Sequence, residues 1–312
     1  MGFEHRSVMP EEVHEYQNLK PGNICVDCTL GGAGHALATI QQILPDGILV
    51  GIDQDLDAIT HAKKILAPFK KNVRLFHNNF INLPTILNSN GIEGVNSIIL
   101  DLGFSLNQLK NAKRGFSFNK NEPLDMRMDI RNDLTASKII NSYQENELAD
   151  IFFKFGEEKF SRRVAKKIVE TRKDKEIHTS SELAQIVKNA IPAKNVFSQR
   201  IHPATRVFQA LRIAVNKELE KLEKFMETVP SLLKKGGRLC VISFHSLEDR
   251  IVKQALRKFE EGCTCPKDLP VCLCGFIPTM KSVFRRPLIP TKKEIELNPM
   301  ARSSKLRVAQ RL

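Results

Sequence analysis

The sequence predicts an α/β fold, a doubly wound parallel sheet interrupted by an inserted all-helical domain. Three observations predict it. Strand and helix signals alternate from about residue 24, a glycine-rich loop follows the first strand, and well over a hundred residues separate the fourth strand from the fifth. Alternation of this kind marks a parallel sheet with helices on its faces.

Taken in order, Ile24-Cys25-Val26 is a short apolar run that enters the loop Asp27-Cys28-Thr29-Leu30-Gly31-Gly32-Ala33-Gly34-His35, and His35 to Leu44 then shows helical spacing. Ile48 to Ile52 reads as the second strand, Ala58 to Leu66 as a helix, Val73 to Phe76 as the third strand and Ile98 to Leu100 as the fourth. Each of these strands ends in polar residues, where ligands of such sheets collect. The fifth strand, Arg238 to Phe244, comes too late for a simple crossover. The interval holds helical patterns at Leu134–Asn141, Glu145–Phe155, Lys159–Arg172 and Ser180–Ile191, the last capped by Ser180 or Ser181. From Pro203 a long amphipathic helix carrying Phe208, Leu211, Leu219, Leu222 and Phe225 is expected to return to the sheet and end before Gly236-Gly237. The expected division is a discontinuous sheet domain, 1–107 with 204–312, and a helical domain, 108–203.

The 312 residues are 42% hydrophobic and 27% charged, an ordinary soluble composition. No apolar run approaches the roughly 20 residues that span a bilayer, and the N-terminus lacks a signal-peptide core, so a cytoplasmic protein without a membrane partner is expected. Of the net charge of +13, residues 250–312 carry 14 Lys or Arg against 5 Asp or Glu. Arg285-Arg286, Lys292-Lys293, Arg302, Lys305, Arg307 and Arg311 offer phosphate contacts to a polyanion, and a solvated basic tail is the alternative reading. With no Trp and two Tyr, base stacking would rest mainly on Phe.

Gly31, Gly32 and Gly34 permit close backbone approach and positive φ. Asp53 ends the second strand 22 residues beyond Gly31, where a carboxylate can accept both ribose hydroxyls of a nucleoside cofactor. Asp27 suits the ammonium of a methionine moiety better than a pyrophosphate, which favours S-adenosylmethionine over NAD. A tight turn with Asp53 as a helix cap is the alternative. In Asn78-Asn79-Phe80 the ring could pack on adenine while the amides address its edge. Asp101, ahead of the flexible Gly103, stands where a transferring methyl would sit; a loop Asp capping a helix is the competing reading. Asp125 lies in an acid–base cluster, and His245 with Asp249 follows the fifth strand, either at the rim with Asp101 or in a buried ion-pair network. Cys25, Cys28 and Cys240 read as core, whereas Cys263, Cys265, Cys272 and Cys274 could hold a structural zinc.

Together these segments resemble the bacterial small-subunit ribosomal RNA methyltransferase H, or MraW, family over nearly the whole chain. The match runs through His5-Arg6-Ser7-Val8-Met9, Asp27 to His35, Ile52-Asp53-Gln54-Asp55, Leu100-Asp101-Leu102-Gly103, Arg114–Phe118, Pro123–Asp129, Gly156-Glu157-Glu158, Pro203 to Ile213, Ile242–Lys253 and Asn298 to Arg307. The resemblance implies a class I S-adenosylmethionine methyltransferase with a helical insertion that methylates the exocyclic N4 of a cytidine in the decoding region of 16S ribosomal RNA, within the small ribosomal subunit. It implies cofactor contacts at Ala33, Gly34, His35, Asp53, Phe80, Asp101 and Gln108. Asp101, then Asp125 and His245, are the expected catalytic groups. The chain departs from the family pattern at Ala33, where glycine is commoner and alanine costs little at negative φ, and at Leu106 and Lys110, where Ser and Asp are usual. A non-catalytic RNA-binding assembly factor on a nucleotide-binding fold is the competing class, and an NAD-dependent oxidoreductase a third. Oligomeric state is not legible.

Overall fold

The computed structural model describes residues 7–105, 108–109, 113–192, 201–262, 265 and 273–312. They fall into two compact units, one formed by Met1–Gly103 with Leu219–Leu312 and the other by Phe104–Glu218.

The first unit is built on seven strands: β1 (Ile24–Asp27), β2 (Ile48–Asp53), β3 (Val73–His77), β4 (Val95–Asp101), β5 (Leu233–Ser243), β6 (Met280–Ser282) and β7 (Lys305–Arg311). Their order is β3-β2-β1-β4-β5-β7-β6. Strands β1 to β5 pair in parallel, while β7 runs antiparallel to both β5 and β6. The chain moves outward from β1 to β2 and β3, then returns to place β4 on the other side of β1. This makes the carboxyl ends of β1 and β4 the switch point, where crossing connections diverge and a crevice opens.

The helices of this unit are α1 (Pro10–Tyr16), α2 (Gly34–Ile43), α3 (Leu56–Ile65) and α4 (Leu83–Ser89). One face of the sheet buries Val26, Val50, Ile98, Leu100 and Val241 against Leu83 and Leu87 of α4 and against Leu222, Phe225 and Val229. Cys25 and Leu49 pack with Ala36, Ile40 and Ile59 of α2 and α3, and Val8, Met9 and Val13 cover Ile99, Cys240 and Ile242. Burial on both faces explains why the central strands read as continuous apolar runs. Cys25, Cys28 and Cys240 are core, as expected. Among the described residues no helix is long and apolar enough to cross a membrane.

The second unit holds α5 (Ala136–Ser142), α6 (Glu145–Gly156), α7 (Ser161–Asp174), α8 (Ser180–Ala190) and α9 (Thr205–Asn216) around Leu148, Phe152, Val164, Ile168, Leu183, Val187, Val207 and Leu211. Helix α8 is capped one residue earlier than expected, by Thr179, whose hydroxyl accepts from Glu182 N while Glu182 returns the bond to Thr179 N. Gly156 lets α6 approach α9, since a Cβ there would stand 2.5 Å from the Arg206 carbonyl oxygen.

The expected long helix from Pro203 is two helices. Lys217 takes a left-handed conformation at φ 51° and ends α9, and α10 (Glu218–Leu232) begins at once. The apolar face of α9 belongs to the helical core and that of α10 to the sheet core. The units therefore divide after Gly103 and at Glu218, not at 107 and 204. The described part of the basic tail folds with this unit. After α11 (Ser246–Glu261) come β6, α12 (Lys292–Leu297) and β7, and three of its cations are engaged at home. Lys305 and Arg307 donate to Asp249, at 3.0 and 2.7 Å, and Arg311 donates to the Thr279 carbonyl. Arg285, Arg286, Lys292, Lys293 and Arg302 are exposed.

Candidate functional site

At the carboxyl end of β1 the chain turns through the glycine loop into α2. Asp53, at the end of β2, holds that loop: its Oδ2 accepts from Gly31 N at 2.9 Å and its Oδ1 from Asp55 N at 2.8 Å. The helix-cap alternative goes to Asp55, which accepts from Asp57 N at the start of α3. Asp27 Oδ1 accepts from Thr29 N at 3.0 Å, and the Thr29 hydroxyl accepts from Asp101 N at 2.7 Å, so Thr29 ties the ends of β1 and β4 together. His35 Nε2 lies 3.8 Å from Asp101 Oδ2. Asp27, Gly31, His35, Asp53 and Asp101 thus form one cluster at the switch point.

The electrostatics of this cluster are unbalanced. Burial, opposed by the Thr29 amide and aided by the neighbouring Asp53 charge, pushes Asp27 up to about 7. Burial pushes Asp53 up to about 6, opposed by the amides it binds. Asp101 stands well above the usual carboxylate range because of burial, then because of the charges of Asp27 and Glu248. Asp27 Oδ2 and Asp101 Oδ1 are buried without hydrogen-bond partners among the described residues. Buried carboxylate oxygens in that condition call for a donor or a cation.

Helix α2 presents the opposite preference. Its N-cap is Ala33, no side chain caps it, and no acid stands in its first turn, so its positive dipole end is open to an anion. Ala33 adopts φ 61°, ψ 17°, contrary to the negative φ under which alanine is cheap there. The Leu30 carbonyl, which accepts from Ala33 N at 2.6 Å, closes the turn that imposes it. A carboxylate that can take an ammonium, a helix end that can take a carboxylate and Asp53 positioned for a ribose fit the zwitterionic nucleoside S-adenosylmethionine.

Phe80 follows β3 and is 8% exposed, with its ring edge-on to Phe225 at 5.2 Å. The adjacent amides are partly engaged within the loop. Asn79 caps the turn at Ile81 N and donates to Gln54 Oε1, and Asn78 accepts from Asn79 N and Asn82 Nδ2. His245 caps α11: its Nδ1 accepts from Glu248 N at 3.4 Å, and Nε2 stands 3.1 Å from Glu248 Oε1. The second Glu248 oxygen accepts from Phe244 N. Asp249 sits in the ion-pair network with Lys305 and Arg307, which holds it below the usual range despite burial.

Two expected residues belong to the helical unit. Gln108 Oε1 accepts from Ser105 N at 2.9 Å. Both oxygens of Asp125 accept from Arg127 at 2.7 Å, and although burial acts to raise it, these bonds and charges set Asp125 below its ordinary value. A carboxylate so held is a weaker proton acceptor than the sequence expectation requires. Leu106, Lys110, Cys263 and Cys272 lie outside the described residues; Cys265 Sγ accepts from Leu273 N. Thr29 and Glu248 escaped the sequence reading. Glu248 carried a signal, since it follows His245 by the three residues of a capping box; Thr29 had none, because its partner is remote in sequence.

Residues 2–312 match the model of a family described as the MraW methylase family. A protein of Desulforapulum autotrophicum called ribosomal RNA small subunit methyltransferase H is 60% identical over 312 residues, covering all of both chains. Proteins of the same name from Desulfosudis oleivorans and Geobacter sulfurreducens are 49% and 48% identical, again over the full length of each.

Proposed function

This chain belongs to the MraW methylase family, and from that premise we propose that it methylates the exocyclic N4 of a cytidine in the decoding region of 16S ribosomal RNA, within the small subunit. The observation that carries the reading is the cluster of Asp27, Asp53 and Asp101 around an uncapped helix start. An RNA-binding assembly factor that catalyses nothing has no use for buried acids lacking counter-ions.

Asp53 holds the ribose, Asp27 the ammonium and the α2 N-terminus the carboxylate of S-adenosylmethionine, with Phe80 at the adenine. When bound, the cofactor supplies an activated sulfonium methyl. The cytosine amino group is a poor nucleophile because its lone pair is delocalised into the ring, so positioning carries much of the rate. Asp101 accepts from the N4 hydrogens and takes up the proton released after transfer. Burial and the neighbouring acids raise its pKa, and a neighbouring cation favours the ionised, accepting form. His245, with both ring nitrogens facing Glu248, positions the end of β5 instead of taking that proton. The exposed Arg285, Arg286, Lys292, Lys293 and Arg302 meet RNA phosphates.

Single-turnover methyl transfer to small-subunit RNA at saturating cofactor tests the chemistry: Asp101→Asn lowers the rate at least about 100-fold, and an unchanged rate removes Asp101 from the proton transfer. Mass-spectrometric mapping tests the substrate, and methylation anywhere but a decoding-region cytidine N4 refutes it. The zinc expectation at Cys263, Cys265, Cys272 and Cys274 is a separate proposal, lost if protein purified without a histidine tag carries no stoichiometric metal.

A further inference from the structure

Val8 and Met9 are 4% and 0% exposed, packed with Ile99, Ile242 and Leu306, and Met9 N donates to Glu294 Oε1 at 2.6 Å. Ser7, held by this anchored segment, is 8% exposed. Its Oγ stands against the first residue of α2, so close that a Cβ on Gly34 would lie 2.1 Å from it. That hydroxyl is buried and has no hydrogen-bond partner among the described residues.

A buried hydroxyl is costly to leave unpaired, and folding normally supplies it a partner. Here it faces a ten-residue helix whose start lacks a side-chain cap and a first-turn acid. The dipole end attracts an anion, and the hydroxyl adds a donor whose proton can rotate toward it. A side chain at position 34 would displace the Ser7 hydroxyl.

We propose that Ser7 is a further cofactor-binding residue, its hydroxyl donating a hydrogen bond to the methionine carboxylate at the N-terminus of α2. The proposal rests on the S-adenosylmethionine reading above, and Asp27 then serves the other charged group of the same amino acid.

Calorimetric titration of the full chain with S-adenosylhomocysteine and with 5′-methylthioadenosine tests it, since the second ligand keeps the nucleoside and thioether but has no carboxylate. Ser7→Ala weakens S-adenosylhomocysteine about tenfold or more, the size of one hydrogen bond to a charged group, and leaves 5′-methylthioadenosine within twofold. The near-isosteric Ser7→Cys, a weak donor, follows Ser7→Ala and guards against a mere packing defect. Equal weakening of both ligands means that Ser7 only shapes the loop, and no weakening of either means that it does not reach the carboxylate; each overturns the proposal. If the unmodified chain binds neither ligand, the cofactor reading itself fails, which separates that failure from one confined to Ser7.

Discussion

In the helical unit, Asp125 meets Arg127 through two bonds, Asp129 meets Arg131, and Arg212 clasps Glu218 at 2.9 and 2.8 Å while lying over the Phe104 ring. In the sheet unit, Asp27, Asp53 and Asp101 share one small volume with no Lys or Arg bonded to any of them among the described residues. The first arrangement is complete by itself. The second is left short of positive charge, and a protein tolerates such a deficit where a ligand makes it good. Acid–base density in a sequence does not mark a site; buried acids without a Lys or Arg at a switch point do.

The largest expected effect breaks the incomplete cluster. Asp53→Ala removes the acceptor of Gly31 N and Asp55 N together with the ribose contact, and S-adenosylhomocysteine affinity falls at least about 100-fold, two charge-assisted bonds being worth about 3 kcal/mol or more. Retained affinity in a calorimetric titration would mean that the ligand lies elsewhere. Arg127→Ala probes the complete cluster. It strands Asp125 and frees the carbonyls of Ile130 and Asn132, costing about 2 kcal/mol of stability. Cofactor affinity stays within twofold, and a tenfold loss would show that the two clusters are not separate in function.

A pH series sharpens the contrast. Folding raises Asp27 to about 7 and Asp53 to about 6, so the folded, ligand-free chain binds protons more tightly than the unfolded chain. The stabilisation this supplies is complete below about pH 4 and is lost as pH rises through 6 to 7. Asp27→Asn, which cannot ionise, is more stable than the unmodified chain at pH 8 by on the order of 1 kcal/mol, with a flatter profile of stability between pH 5 and 8. The same change weakens S-adenosylhomocysteine by removing the ammonium's carboxylate. Parallel melting profiles would show that Asp27 is not strained by its charge.

Much of this contrast was legible from residue order. Each strand of the parallel series ended in a polar residue, so Asp27, Asp53 and Asp101 could be aligned at one rim before any contact was known. Pairing was less legible, because Asp125 and Asp101 are equally acidic on paper and differ only in whether an arginine folds back on them. Strand β7 was hidden by its own charges: Lys305-Leu-Arg-Val-Ala-Gln-Arg311 alternates apolar and polar residues, yet read as a basic tail. The break at Lys217 left no trace, since lysine has no turn signature and the apolar spacing continues from α9 into α10.

The smallest expected effect concerns Ala33, where strain and packing oppose each other. Holding alanine at φ 61° costs about 1–2 kcal/mol, which glycine would release. Against this, glycine gains freedom in the unfolded chain worth about 0.4–1 kcal/mol. The Ala33 methyl is also 0% exposed among Ala36, Ile40 and Leu30, and its removal forfeits about 0.8 kcal/mol of burial. The three contributions nearly cancel, so Ala33→Gly shifts stability by less than about 1 kcal/mol in a denaturant titration. A gain above about 2 kcal/mol would mean that the glycine loop stores strain the surrounding core does not offset, and a comparable loss would mean that the methyl anchors the turn. The gain would place the stress of the sheet unit in its backbone as well as in its charges, and the loss would confine it to the charges.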